Sequence, residues 1–547
     1  MNESSAHSSA PKSRRTVLRG LAATATVAVT ATALTSGATA TAATKPAAGA
    51  VETYTLKLVH LGRTGAPTTA HRTQLTALSG PDAGSGQVPS AGPSDPAGTV
   101  TVRVPKGRYL LDSTITTETA GGASGVDWLV RPRLDVDRDT TLVLDARTAR
   151  PVDVLPPDAG AAFRHAGAFV EVAYQGTKGF ANLITPSSDL RVAHLGPATE
   201  RGAVRAWIDT YWNGQRGTYV LGYTFTSDRA LTGLVRHPAA AELGTIVVRA
   251  AAPASGPGYG FVDFGPTVGP SPALASALQV PGSATYMVTP ERGTWDVVYT
   301  APTASDEETP NRYFALGTAV AAGGTTVLAF DTPVFGPALA TSRGAKPAAV
   351  RTGNTLAVAL PLLADGAGNV PSAPPHSAAT TTLHRNGSLV GTRRGTPGHA
   401  SFTVPAGRAS YRLTATAKRP RGSVTAAWTF TSAATGSTTE LPLSIVRFAP
   451  SLGPDGTAAP RRADHVGVTV RGAAERSGVR SLTVSVSADG GATWTPVPVR
   501  GGRVAVTNPG PGRSVSLRAE LTDSLGNTLT QTHIDAYTTG QTAPRTA

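Results

Sequence analysis

Apolar and polar residues alternate most regularly near the end of the chain, between residues 477 and 537. Valine and leucine alternate with hydroxyl side chains at 482–487, and apolar side chains return at every second position of 515–521. This two-residue period is typical of strands with one buried face. Both runs end in turn residues, at 489–490 (DG) and at 523–527 (DSLGN). The pattern predicts antiparallel strands joined by tight turns.

Similar strand-like runs recur upstream between glycine- and proline-rich breaks, and 547 residues suffice for about three or four domains. The sequence therefore predicts an all-β chain of tandem immunoglobulin-like or prealbumin-like β-sandwich modules. One short helix is expected at residues 273–278 (ALASAL). The predicted modules are 51–150 for the first, 151–342 for a larger or double sandwich, 343–436 for the third and 437–540 for an immunoglobulin-like fourth, followed by a tail at 541–547.

Two short phrases occur twice, which supports modules of one kind. Residues 404–408 (VPAGR) echo 104–108 (VPKGR), and residues 365–369 (DGAGN) echo 523–527 (DSLGN). Proline, glycine, aspartate and asparagine are the residues that fix the corners between strands. The repeated phrases therefore predict turns rather than reactive groups.

The first 42 residues read as an export signal. Arg14 and Arg15 precede a weakly apolar Ala/Thr-rich run and Ala-x-Ala cleavage sites, a pattern that resembles a twin-arginine signal. A transmembrane anchor is the competing interpretation, but the apolar run is too short to span about 20 strongly apolar residues. Val17 departs from the twin-arginine pattern, so the general secretory route stays open. The prediction is a secreted protein with a cleaved leader at 1–42 and a linker at 43–50, without a membrane span once the leader is removed.

Composition narrows the classes of partner. The absence of cysteine fits an exported protein and excludes thiolate metal sites and cysteine nucleophiles. The net charge of the chain is +14. The basic residues are scattered, and their longest cluster is 418–421 (KRPR). A nucleic-acid binder would gather its charge into one stripe with aromatic residues between. No nucleic-acid partner is predicted, and loose attraction to anionic cell-wall polymers is favoured.

One motif at residues 487–494 (SADGGATW) matches the aspartate-box pattern S-x-D-x-G-x-T-W. Its spacing places Asp489 and Gly491 at a hairpin tip and lets Trp494 pack one strand later. A sugar-processing enzyme would also need two opposed carboxylates in a cleft, which a single box does not supply. The box therefore predicts a structural hairpin, with a role in sugar processing as the alternative.

Three aspartates form a candidate cation site. Asp135, Asp137 and Asp139 alternate along the chain, so they would share one face of a strand and could present carboxylates to Ca²⁺. Thr140 and Ala146 stand where an EF-hand loop requires Gly and Glu. A solvated strand end is the favoured interpretation, and no metal ligand is predicted.

Six aromatic residues fall within twenty positions and could stack on a sugar, although large aromatics more often fill a core. They are Trp207, Tyr211, Trp212, Tyr219, Tyr223 and Phe225. The histidines have no ligand spacing, and no nucleophile elbow, phosphate loop or dinucleotide fingerprint occurs. The sequence predicts no catalytic residue and no cofactor.

Several phrases together resemble the long region that follows the catalytic domain in large secreted subtilisin-like serine peptidases of Gram-positive bacteria. The resemblance covers roughly residues 52–537, and a non-catalytic extracellular β-sandwich array is what it implies. The Asp, His and Ser motifs of that peptidase family are absent from the sequence, so no catalytic residue is carried over. The phrases are VPKGRY (104–109), FDTPVFGPAL (330–339), WTFTS (428–432), LPLSIVRFAP (441–450), SADGGATWTPVPV (487–499) and SVSLRAELTDSLGNTLTQTHIDAY (514–537).

The expected function is that of a secreted, non-catalytic binding or accessory protein. Its partner would be a cell-wall polymer, a polysaccharide or a protein such as a separate exopeptidase. The first alternative is a carbohydrate-binding or carbohydrate-processing protein, and the second is a peptidase with an unrecognised site. The sequence does not predict an oligomeric state.

Overall fold

The computed structural model describes residues 51–87, 98–118, 124–252, 257–270, 274–303, 309–339 and 346–541. The predicted leader with Arg14 and Arg15, the linker and residues 542–547 of the tail lie outside this part of the chain. The described residues are mostly β-strand, with one short helix, α1 (Ala473–Ser477), and 3-10 turns at Ala146–Thr148, Ala240–Glu242 and Pro290–Arg292. Within these residues, no helix has both the length and the apolar character needed to cross a membrane.

The strands of the first part form four sheets. They are β1 (Thr53–Leu61), β2 (His71–Ala77), β3 (Gly86–Gln87), β4 (Thr99–Pro105), β5 (Gly107–Glu118), β6 (Ser124–Val136), β7 (Thr140–Asp145), β8 (Arg150–Val154), β9 (Ala162–Tyr174), β10 (Thr177–Thr185), β11 (Leu190–His194), β12 (Val204–Gly214), β13 (Gly217–Ser227), β14 (Leu234–Arg236), β15 (Gly244–Ala250), β16 (Gly258–Pro266), β17 (Leu274–Val280), β18 (Gly282–Val288), β19 (Trp295–Thr300), β20 (Arg312–Thr318) and β21 (Thr325–Phe330).

The four sheets differ in size. Sheet 1 has the order β4-β1-β7, and sheet 2 has the order β14-β8-β11-β6-β5-β2-β3. Sheet 3 has the order β10-β9-β12-β13-β18-β15-β21, and sheet 4 has the order β17-β16-β19-β20. Sheet 2 joins strands from both sides of residue 150, because β8, β11 and β14 pair beside β6.

Sheets 2 and 3 are each packed on both faces. Leu111 belongs to the core shared with sheet 1, whereas its neighbour Leu110 belongs to the core shared with sheet 3. In sheet 3, Leu221 faces sheet 2 and Val220 faces the core shared with sheet 4. Strands that are buried on both faces carry near-continuous apolar runs instead of alternation.

The remaining strands form sheets 5, 6 and 7 around one continuous core. They are β22 (Ala349–Thr352), β23 (Thr355–Ala359), β24 (Ala378–Arg385), β25 (Ser388–Arg394), β26 (His399–Thr403), β27 (Ala409–Lys418), β28 (Ser423–Ser432), β29 (Thr439–Glu440), β30 (Ser444–Ala449), β31 (Ala463–Gly472), β32 (Val479–Ser487), β33 (Thr495–Val497), β34 (Arg503–Thr507), β35 (Ser514–Asp523) and β36 (Thr528–Thr538).

Sheet 6 is the largest, with the order β25-β24-β27-β28-β36-β35-β32-β33. Sheet 5 has the order β26-β23-β22-β29, and sheet 7 has the order β30-β31-β34. Sheet 6 joins the third and fourth predicted modules, because Ser423 to Thr429 pair antiparallel with Ile534 to Thr528. The prediction of an all-β chain of tandem β-sandwich modules is confirmed.

The helix predicted at residues 273–278 is wrong. Leu274–Val280 forms β17, which pairs antiparallel with β16 along its whole length. Six residues are too few for an independently stable helix. Pairing with a neighbouring strand therefore overrides the helical preference of alanine and leucine.

Candidate functional site

An open groove lies where sheets 2 and 3 separate at one end of their shared core. Its volume is about 320 Å³, at the lower end of the range for ligand pockets. β8 and β11 form one wall, and β9 and β12 form the other. The residues that line it are Val152, Asp153, Val154, Leu155, Phe163, Ala166, Ser187, Ser188, Leu190, Thr210 and Trp212.

Two aromatic side chains form the apolar wall of this groove. Phe163 and Trp212 meet edge to face, with ring centroids 5.0 Å apart and an interplanar angle of 77°. The indole Nε1 of Trp212 donates a hydrogen bond to Oγ1 of Thr210 at 3.2 Å, which fixes the orientation of the ring. The register between β9 and β12 shifts between Tyr211 and Trp212. Such a bulge re-aims a side chain, and here it sets Trp212 opposite Phe163.

Polar groups line the rest of the groove. Nε2 of His237 lies 3.0 Å from a carboxylate oxygen of Asp153, and both side chains are about half exposed. Ser187 caps the turn before β11, because its hydroxyl accepts a hydrogen bond from the amide of Asp189 at 3.2 Å. Ser188 beside it is exposed. The groove therefore combines an aromatic wall with hydroxyl and carboxylate groups.

The six aromatic residues of 207–225 do not form one platform. Trp207, Tyr211, Tyr219 and Tyr223 are buried, and Phe225 is half-buried. Tyr211 packs in the core between sheets 3 and 4, whereas Tyr219 and Tyr223 pack in the core between sheets 2 and 3. Of the six, Trp212 is the one that lines the groove.

The three alternating aspartates each have a separate partner. Asp135 accepts hydrogen bonds from Nε of Arg108 and Nε of Arg133, both at 2.7 Å. Asp137 accepts from Nε of Arg138 at 3.0 Å, and Asp139 accepts from the amide of Thr55 at 2.7 Å. Within the described part of the chain, no cluster of three or more His, Asp or Glu side chains could hold a metal ion.

The aspartate box forms a closed turn between β32 and β33. Asp489 accepts hydrogen bonds from the hydroxyl of Ser487 at 2.6 Å and from the amide of Thr493 at 3.0 Å. Trp494 packs under the guanidinium of Arg518, which lies 4.1 Å from the ring centroid. These contacts are those of a structural hairpin, and this hairpin belongs to sheet 6, whereas the groove beside Trp212 lies between sheets 2 and 3.

A buried chain of hydrogen bonds connects His60 to a serine. Nε2 of His60 lies 2.7 Å from Oγ1 of Thr73, which in turn lies 2.8 Å from Oγ of Ser113. His60 and Ser113 have no exposed surface, and the imidazole of His71 stacks on that of His60 at 3.5 Å. The chain therefore ties sheet 1 to sheet 2 and does not present a nucleophile to solvent.

Sequence reasoning missed most of the groove. Its polar and aromatic residues come from β8, β9, the turn before β11 and β12, so no local spacing brings Asp153, Phe163 and Ser188 together. The signal that the sequence did carry was the aromatic cluster that contains Trp212.

The chain was compared with family models, curated proteins and solved structures. No family model matches the chain, and no curated protein matches it. Among solved structures, a Streptococcal ancillary pilin is similar at 12% identity over 51% of this chain and 98% of the pilin chain, with a TM-score of 0.12. Such a TM-score carries no argument about function.

Proposed function

We propose that this chain is a secreted, non-catalytic binding protein and that the groove beside Trp212 holds a sugar residue of a cell-surface polysaccharide. The observation that carries the proposal is the edge-to-face pair of Trp212 and Phe163 at a groove of about 320 Å³ that also contains hydroxyl and carboxylate groups. Aromatic rings offer a large apolar face at a low cost in conformational entropy. The C–H face of a pyranose matches this wall, and its hydroxyls match the polar rim.

The position of the groove also supports binding to a polymer. It is open to solvent at the end of a sandwich, so a sugar chain could continue on both sides of the bound unit. Asp153 and the serine hydroxyls accept hydrogen bonds from sugar hydroxyls without forming covalent bonds to them. Hydrogen bonds of this kind support the binding of a sugar without cleavage of its bonds.

Affinity electrophoresis tests this proposal. The purified chain is run in native gels that contain soluble starch, hydroxyethyl cellulose, xylan or glycol chitin. We expect retardation in at least one gel, and we expect Trp212→Ala to weaken the binding about tenfold because the stacking surface is lost. Trp494→Ala is the matched control, since it removes a half-buried indole from the aspartate-box hairpin. Equal mobility in all gels, or equal retardation of the Trp212→Ala protein, would contradict the proposal.

A second proposal concerns the resemblance to the region that follows subtilisin-like catalytic domains. It is favoured by the way the resembling phrases meet. Arg447 of LPLSIVRFAP donates hydrogen bonds to the carbonyls of Gly336 and Pro337 in FDTPVFGPAL at 3.3 and 3.2 Å. The indole of Trp428 in WTFTS donates to the carbonyl of Ser444 at 2.7 Å. These contacts give the joint occurrence of the three phrases a physical reason, because each phrase supplies a partner for another.

We infer from this resemblance that the chain serves as an accessory array for a separate peptidase. Sedimentation velocity of the chain mixed with a secreted subtilisin-like peptidase that lacks its own C-terminal region tests the idea. A complex that sediments faster than either component is expected. Independent sedimentation of the two proteins at concentrations of tens of micromolar would contradict it.

A further inference from the structure

A cavity of about 60 Å³ lies where sheet 6 meets the ends of β15 and β21. One of its walls is the turn between β27 and β28, which carries the basic cluster at 418–421. Gly422 ends this turn with φ of +75°, and a Cβ at that position would lie 2.0 Å from the carbonyl oxygen of Ile534. Glycine therefore holds the turn against β36. Among the lining residues are Asp331, Phe335, Arg419, Arg421, Asp535 and Tyr537.

Arg419 is the central cation of this cavity. Its guanidinium carbon lies 3.5 Å from the centroid of the Phe335 ring, so the planar group is stacked and fixed in position. Among the described residues, Arg419 has no side-chain hydrogen bond and no ion pair within 4.0 Å, and the charge of Asp331 acts on it from farther away. Arg421 likewise has no such bond or ion pair, but its side chain is exposed to solvent. Desolvation by burial lowers the pKa of Arg419 to about 10. A partly desolvated guanidinium without an acceptor is unfavourable, and an acceptor in the cavity would offset that cost.

The carboxylates around the cavity already have donors. The hydroxyl of Tyr313 donates a hydrogen bond to Oδ1 of Asp331 at 2.7 Å, and the hydroxyl of Ser514 donates to Oδ1 of Asp535. The guanidinium of Arg419 therefore lacks a hydrogen-bonded carboxylate, whereas both carboxylates have donors of their own. The unmet requirement of the cavity is a hydrogen-bond acceptor that carries negative charge.

We propose that this cavity binds a small oxyanion, a carboxylate or a phosphate, between the guanidinium groups of Arg419 and Arg421. A cavity of this volume has room for roughly four to six water-sized groups, which is the size of such an ion. Guanidinium groups recognise planar or tetrahedral oxyanions through paired, charge-assisted hydrogen bonds. This site is separate from the groove beside Trp212, and its occupancy does not depend on sugar binding.

The charged and titratable groups that face the cavity are Arg419 and Arg421 from the β27–β28 turn, Asp331 after β21, and Asp535 and Tyr537 from β36. Behind Asp331 lie Tyr313 of β20 and Asp365, and burial raises the pKa of Asp365 to about 6 as well. Burial raises the pKa of Asp331 to about 6, although the hydrogen bond from Tyr313 and the charge of Arg419 lower it. Asp331 therefore loses its negative charge as the pH falls below about 6. An oxyanion is expected to bind more tightly at pH 5.5 than at pH 7.5.

Isothermal titration calorimetry of the purified full chain tests the site with sodium phosphate and sodium acetate at constant ionic strength. Saturable heat with either ion is expected, and the ion that binds more tightly distinguishes phosphate from carboxylate as the preferred group. Arg419→Gln should weaken binding about tenfold, because a charge-assisted pair is lost. Arg412→Gln, at an exposed arginine of β27, the strand before this turn, should leave binding unchanged.

Asp331→Asn gives a second, independent result. Removing this carboxylate should strengthen oxyanion binding, whereas it would weaken binding of a cation or a zwitterion. Arg421→Gln replaces the first variant if Arg419→Gln does not fold. The proposal is overturned if neither ion gives saturable heat with the folded wild-type chain, if the arginine variants bind as the wild type does, or if Asp331→Asn weakens binding.

Discussion

Asp209 and Arg292 form an ion pair in the interior, with Nε of the guanidinium donating to Oδ1 of the carboxylate at 3.0 Å. Their side-chain exposures are 0% and 1%, respectively. Arg292 also donates to the carbonyl of Val268 at 2.7 Å and to Oγ1 of Thr224 at 3.2 Å. The pair therefore connects β12 and β13 to the segment that follows β16.

Removing one member of this pair should be far more costly than removing both. Asp209→Asn leaves the buried Arg292 cation without its counter-ion, so we expect the free energy of opening of β12 and β13 to fall by about 3–5 kcal/mol. Hydrogen exchange followed by mass spectrometry measures that local free energy directly. The double variant Asp209→Leu with Arg292→Met should lose less than the single variant.

The control for this prediction is the exposed pair of Arg471 and Glu475, whose side chains are 45% and 46% exposed. Glu475→Gln should change stability by no more than about 0.5 kcal/mol, because solvent screens an exposed ion pair. Unchanged hydrogen exchange in the Asp209→Asn protein would show that the buried pair does not hold the segment.

The two D-x-x-G-N phrases form the same turn. Oδ1 of Asp523 accepts hydrogen bonds from the amides of Leu525 at 3.0 Å and Asn527 at 2.8 Å. In the other copy, Oδ1 of Asp365 accepts from the amide of Asn369 at 2.9 Å. The glycine before each asparagine has positive φ, +87° at Gly526. In both turns, the aspartate carboxylate accepts hydrogen bonds from backbone amides that have no strand partner in the turn.

Asp523→Ala should destabilise sheet 6 by about 2 kcal/mol, because the amides of Leu525 and Asn527 and the side-chain amide of Asn527 lose their acceptor at once. Chemical denaturation followed by circular dichroism measures the loss. Leu525→Ala in the same turn is the control, since Leu525 is 77% exposed and should change stability by less than about 0.5 kcal/mol. Equal effects of the two substitutions would mean that the turn tolerates loss of its carboxylate.

The regularity of the sequence reflects how many faces of each strand are buried. Residues 515–521 alternate because β35 has one face in the core of sheets 5, 6 and 7, and that alternation predicted its strand correctly. Leu110 and Leu111 lie on opposite faces of sheet 2 and both are buried, so no period marks that strand. The turn phrases were predictable because each is local in the chain.

The candidate sites depend on contacts that the sequence does not bring near one another. Trp212 and Phe163 lie on neighbouring strands, and a bulge in the pairing of these strands sets the two rings opposite each other. A bulge leaves no periodic signal in the sequence. Arg419 was visible as part of the basic cluster, but its position over Phe335 depends on the packing of sheet 6 against the segment after β21. A sequence pattern can indicate such residues singly, but it does not show the contacting residue that determines what each side chain can bind.

The aspartate box should affect its own hairpin and not sugar binding. The hydroxyls of Ser487 and Thr493 donate to Asp489 and hold its pKa below its usual range. In the Asp489→Ala protein, the amides of Gly491 and Thr493 should exchange about tenfold faster, because the turn loses its central acceptor. Retardation in polysaccharide gels should match that of the wild type. Loss of retardation would move the sugar site from the groove to the hairpin.

The stacked imidazoles of His60 in β1 and His71 in β2 should make the packing of sheets 1 and 2 sensitive to acid. Nδ1 of neutral His60 donates to the carbonyl of Gly98 at 2.8 Å, so Nε2 accepts from the hydroxyl of Thr73. Burial lowers the pKa of His60 to about 4, and it also lowers the pKa of His71, which is stacked on it. Protonation would remove the acceptor for Thr73 and place a charge in a core.

Neutral His60 should stabilise the folded chain at neutral pH and lose this contribution in acid. Unfolded histidine titrates near 6.5 and folded His60 near 4, so the unfolded chain binds the proton first as the pH falls. Stability should be complete above about pH 6.5 and should decrease toward pH 4, by up to about 3 kcal/mol for His60. Hydrogen exchange of β1 and β2, corrected for the intrinsic rate at each pH, measures the decrease. His60→Gln should flatten this dependence, because an amide can make both hydrogen bonds without titrating, whereas His376→Gln at an exposed site should not. Parallel curves for wild type and His60→Gln would rule out His60 as the acid-sensitive group.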